Sequence, residues 1–199
     1  MPAKLSWCLY VNLGPRVQHS FLTFSIEGSD IQEGNPTLTL AVVWQLMRSY
    51  TLALLSRLNS SSGLPVGESE IVQWTNERLE ASQSDLSISH FQDKKIRSSL
   101  PILHLIEVLQ PGTVDWSDVI TPASQSSSLS YQQCMDNAKY AVTMARKIGR
   151  DIRADLSSLL ILLYCYIGAP VYALPEDIAE GKHKMVMTVF ASLMLTDLN

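Results

Sequence analysis

Asn35 and Pro36 open the most constraining stretch of this chain. Asn35 has a side chain suited to cap a helix N-terminus, and Pro36 suits the first helical position, where its missing N–H costs nothing. Leu40, Val43, Met47, Tyr50, Leu54 and Leu58 then recur every three or four residues. Leu38, Val42, Leu46 and Leu55 fill adjacent faces, and the run stops at the polar segment Asn59-Ser60-Ser61-Ser62-Gly63. A helix apolar around so much of its circumference is expected to form the buried centre of a domain.

Four further helices follow from the same reading. One fits Glu68 to Ala81, with Ile71, Trp74 and Leu79 inward and acidic residues at its positive end. Another fits Ser99 to Leu109, with Ser99 as cap, Pro101 in the first turn and Pro111 as stop. A third runs from Tyr131 to Ile148 with Met135, Ala138, Val142, Ala145 and Ile148 as its stripe. Gly149 is placed to close it. The last covers Lys184 to Leu195, with Val186, Val189, Phe190 and Leu193 inward. No stretch alternates over several residues at the period of a strand. The predicted fold is all-α: four main helices plus short connecting helices, joined by Ser-, Gly- and Pro-rich loops. The loop around residues 122–130 is serine-rich and expected to be solvated.

Composition narrows the function. A chain of 199 residues suits one domain with extra segments. Fifteen Lys+Arg against nineteen Asp+Glu give a net charge of −4, with no basic tract to follow a nucleic-acid backbone. Cys8, Cys134 and Cys165 are few and far apart, so neither a disulfide framework nor a zinc site is expected, and a reducing compartment suits them. The first residues lack the apolar core of a secretory signal. Asn59-Ser60-Ser61 fits a glycosylation sequon, read here as chance. No phosphate-cradling glycine loop and no nucleophile motif occurs, so no catalytic residue, cofactor or metal is predicted and the chain is read as non-enzymatic.

Individual residues with chemical potential have plain structural explanations. Glu176-Asp177 after Pro175 could do acid–base work in a pocket, but acids at a helix start account for them. His104 sits among Leu103, Leu105 and Ile106 and is read as a buried or half-exposed histidine. Trp44, Trp74 and Trp116 are read as core or semi-buried anchors.

Several blocks occur in a recognisable order. They are Gly28-Ser29-Asp30-Ile31 through Trp44-Gln45-Leu46-Met47-Arg48, Ser87-Ile88-Ser89-His90-Phe91-Gln92-Asp93, Ser99-Leu100-Pro101 and Leu105-Ile106-Glu107-Val108-Leu109-Gln110-Pro111-Gly112. Asn137-Ala138-Lys139-Tyr140-Ala141-Val142, Met144-Ala145-Arg146-Lys147-Ile148-Gly149, Tyr172-Ala173-Leu174-Pro175-Glu176-Asp177-Ile178 and the run from Lys184 to Met194 follow. Together they resemble the fourth and last calponin-homology domain of the fimbrin/plastin family. Such proteins carry two EF-hands and four calponin-homology domains in two tandem pairs. Each pair binds an actin filament, and the two together bundle filaments.

The resemblance implies these boundaries: residues 1–34 as linker and remnant of a preceding calponin-homology domain, 35–195 as the domain, 196–199 as a tail. It implies actin-filament binding in the cytoplasm, at the actin cytoskeleton, weak or monovalent for this chain alone. Actin and other calponin-homology domains are the implied partners; nucleic acid and membrane are not. The nearest candidates for the filament contact are Ser29, Asp30, Gln32, Gln45 and Arg48. For Arg48 the alternative is a plain solvated helix charge. The alternative for the whole chain is a non-actin adaptor domain or an inert truncated product.

The chain departs from the family pattern in places. Arg48-Ser49 stands where two arginines are usual, His104 stands where an aspartate is usual, and the loops after Asn59 and Pro122 are long. Residues 150–168 interrupt a segment that the family runs straight through. Residues 156–175 carry no charge, which lowers the charged fraction to 17%. A membrane span is one reading, but Gly168, Pro170 and Pro175 break it, and the dense apolar part is far shorter than the roughly 20 residues a span needs. The second reading is a retained short intron, with a genuine loop as its alternative. If Gly149-Arg150 is encoded GGT-AGG and Ile167-Gly168 is encoded ATA-GGN, the insert begins with GT and ends with AG, and its removal restores one glycine. Other codons at those positions exclude the intron.

Overall fold

The computed structural model describes residues 28–58, 66–82, 85–122, 128–148 and 171–198. Among them are seven α-helices and no strand. They are α1 (Gly28–Gln32), α2 (Pro36–Leu58), α3 (Glu68–Ala81), α4 (Leu100–Leu109), α5 (Tyr131–Ile148), α6 (Pro175–Ala179) and α7 (His183–Asp197). Short 3₁₀ turns at Lys94–Ser98 and Trp116–Asp118 join them. The segments outside these ranges include the sequon, Gly149 and the whole of 150–168.

The helix ends follow local chemistry. Asn35 Oδ1 accepts from the Leu38 N–H at 3.2 Å, satisfying one of the donors that a helix start leaves open. Glu70 reaches back to accept from the Gly67 N–H at 2.9 Å, closing the start of α3. Asp177 does the same for α6, accepting from the Leu174 N–H at 2.9 Å. Glu176-Asp177 is thus a helix start, and Asp177 is buried while doing it. Gly34 takes φ +75° between α1 and α2, a conformation a side chain resists.

The centre of the domain is α7. Ten consecutive residues, from Val186 to Leu195, are buried, and the helix packs against α2, α3, α4, α5 and α6. Phe190, fully buried, meets Phe91 with ring centroids 5.6 Å apart. Each such side chain removed from water contributes about 1.5–3 kcal/mol. The stripes predicted for α3 and α5 are the buried ones: Ile71, Trp74 and Leu79 on α3, and Met135, Ala138, Val142, Ala145 and Ile148 on α5. Asn137 is the main polar element inside. Its amide bonds the Ile120 N–H and the carbonyls of Ile120 and Ser98 at 2.8–3.0 Å.

Two expectations are corrected. The 36–58 helix is not the buried centre. Only Thr51, Leu52, Ala53 and Leu55 of its described side chains are buried, while Leu40 and Val43 are 67% and 55% exposed. All the buried residues of α2 lie in its C-terminal half, and Trp44 packs against the core from the first half. By length and composition alone the stretch Pro36–Ser56 could cross a membrane, and most of it is not buried. The second correction concerns Ser99. It precedes α4 with φ 62° but makes no side-chain capping bond, and its buried Oγ has no hydrogen-bond partner among the described residues.

Candidate functional site

The sequence-derived candidates fall into two groups along α1 and α2. Ser29, Asp30 and Gln32 lie on α1, where Ser29 and Gln32 are exposed. Gln45 and Arg48 lie further along α2; at 1.5 Å per residue, Arg48 is about 18 Å from Pro36. The five residues are therefore spread along two successive helices. Gln45 is half-buried and Arg48 half-exposed.

Arg48 is not a free solvated charge. Its Nη2 is 3.1 Å from Glu68 Oε1, at the first residue of α3. The other oxygen of Glu68 is 3.1 Å from His183 Nε2, at the first residue of α7. Glu68 so ties three helices together. Burial pushes its carboxyl up, but the bonds from His183 and Arg48 more than offset this and hold it below the usual carboxylate range. The guanidinium of Arg48 also lies 5.8 Å from the centre of the Trp44 ring, and Lys184 Nζ lies 5.4 Å from the same ring. Both distances suit attraction between a cation and an aromatic face.

A shallow groove of about 230 Å³ opens beside this cluster, lined by Glu68, Ser69, His90, Phe91, Gln92 and His183 among others. It falls short of the usual size of small-molecule pockets. No group of three or more metal-ligating side chains occurs among the described residues.

The other singled-out residues have structural roles. His104 is half-buried against Trp116, with centroids 4.5 Å apart, and burial lowers its pKa. Trp74 is buried and donates its indole N–H to Asp197 Oδ2 at 2.9 Å. Trp116 is more exposed than an anchor, at 39%. Glu68, His183 and Lys184 were not among the sequence candidates. They lie far from Arg48 in the chain, and spacing carries no sign of the contact. The run Lys182-His183-Lys184 before an apolar helix was the one visible hint.

The described residues form a bundle of helices around the buried helix α7. Residues 65–155 match the calponin homology (CH) domain family. The chain is 46% identical to plastin-3 of Danio rerio over 96% of its length, and 43% and 42% identical to plastin-1 of Gallus gallus and Homo sapiens over 98%. It spans only about a quarter of these relatives, 26–27% of their length. The fold matches the crystal structure of the actin-crosslinking core of Schizosaccharomyces pombe fimbrin, with a TM-score of 0.59 and 27% identity. That match covers 86% of this chain and 30% of the fimbrin core. The protein is thus a calponin-homology-domain protein. It belongs with the plastins and fimbrins.

Proposed function

We propose that this chain is the last calponin-homology domain of a fimbrin-like actin-bundling protein and binds actin filaments through the edge formed by α1 and α2. The carrying observation is the 46% identity to a plastin over 96% of the chain, joined to the structural match to an actin-crosslinking core. Ser29, Asp30, Gln32, Gln45 and Arg48 are the proposed contact residues. The exposure of Ser29 and Gln32, and the apolar Leu40 and Val43 between the two groups, support that edge. Filaments are acidic, and this chain carries a net charge of −4, so attraction rests on local cations and is weak. The proposed setting is the cytoplasm, at the actin cytoskeleton, with no catalytic role.

Residues 1–34 are proposed as linker and remnant of a preceding domain, and 150–168 as an insert within a domain spanning 35–195. Crosslinking needs two filament sites, so one domain binds without bundling. High-speed cosedimentation with filaments at varied salt tests binding, and low-speed sedimentation tests bundling. A chain that stays in the supernatant at every salt concentration favours the adaptor reading instead.

A further inference from the structure

We infer that Lys184, on α7, is the principal filament-facing cation of this domain, and that Glu68 keeps Arg48 from filling that role. The inference rests on the filament-binding reading and names a contact residue outside the segment proposed for it. Arg48 and Glu68 form an ion pair, and the second oxygen of Glu68 is held by His183. Glu68 already offsets the charge of Arg48, so a carboxylate on a filament is attracted to it less than to an unpaired cation.

Of the cations around the start of α7, Lys182 is bound to Asp177 at 2.9 Å and to Glu180 at 3.1 Å. Lys184 differs from its neighbours. It is exposed, and among the described residues it has no carboxylate within ion-pair distance. Its ammonium stands 5.4 Å from the Trp44 ring. That contact favours one posture of a flexible side chain and so lowers the entropy lost on binding. Trp44 lies on α2 one turn before the candidate Arg48, whose guanidinium stands 5.8 Å from the same ring, so Lys184 and Arg48 flank one aromatic side chain. The partner chemistry it fits is a carboxylate on the filament surface.

The test compares Lys184→Gln, Lys184→Arg and Arg48→Gln by filament cosedimentation across a salt series, each variant first matched to the parent in thermal unfolding. Loss of one unneutralised surface cation is expected to weaken binding about fivefold and flatten its salt dependence, while Arg48→Gln, whose charge Glu68 already pairs, weakens it less than Lys184→Gln does. Lys184→Arg keeps the parent affinity. Parent-like binding by Lys184→Gln, or a larger loss from Arg48→Gln, overturns the inference while leaving filament binding in place. A parent chain that does not bind filaments overturns both.

Discussion

The guanidinium of Arg146, in the last turn of α5, donates to the backbone carbonyl of Val171 at 3.2 Å. The two flanks of residues 149–170 therefore meet, and the ends they anchor, Ile148 and Val171, are both buried. The described residues on either side of 149–170 are joined directly by this bond.

Deleting residues 150–168 is accordingly expected to leave the fold intact. A shorter closure costs less entropy, by about 0.6 kcal/mol per halving of loop length, so stability is unchanged or raised by up to about 2 kcal/mol. Denaturant titration followed by helical circular dichroism checks this. A deletion variant that loses its helical signal contradicts it.

Asn137 is 1% exposed and satisfies backbone groups at Ile120 and Ser98. Replacing it by Ala leaves three partly buried backbone groups without these bonds. The expected loss is about 3 kcal/mol in denaturant unfolding. A loss below 1 kcal/mol means the network adds little.

Ser99 holds φ 62° with a buried hydroxyl that has no partner among the described residues. Ser99→Gly relieves the left-handed strain and removes the orphaned group. It is expected to stabilise the protein by about 1 kcal/mol, seen as a raised Tm. A lowered Tm shows that the hydroxyl matters in a way this geometry does not explain.

Acid sensitivity follows from Glu68. Its carboxyl is held below its ordinary value of 4.5, so the folded state binds its proton less readily than the unfolded chain. Its contribution is present above pH 4.5 and is lost as pH falls through the depressed value. Stability measured from pH 6 down to pH 3 should therefore fall less steeply in Glu68→Gln than in the parent. Identical slopes contradict the assignment.

Much of this was legible in the sequence because periodicity and punctuation agreed. The boundaries of α3 and α5 match the residues at which acidic starts and polar or basic ends interrupt the apolar period. Periodicity marks an apolar face but not its occupant. For that reason α2 read as the centre, although α7 holds that place. The left-handed Ser99 was hidden because a serine before a helix looks the same whether or not it caps. Of the site, the α1 and α2 candidates came from resemblance to a family. The Arg48–Glu68–His183 cluster joins residues 20 and 115 positions apart, and no local pattern encodes such a meeting.

The most direct test of the account is a titration of the chain against actin filaments by high-speed sedimentation. The account predicts saturable pelleting that weakens as salt rises, with no filament bundles pelleting at low speed. A chain that never pellets with filaments contradicts filament binding, and bundles formed by the monomeric chain contradict a single site.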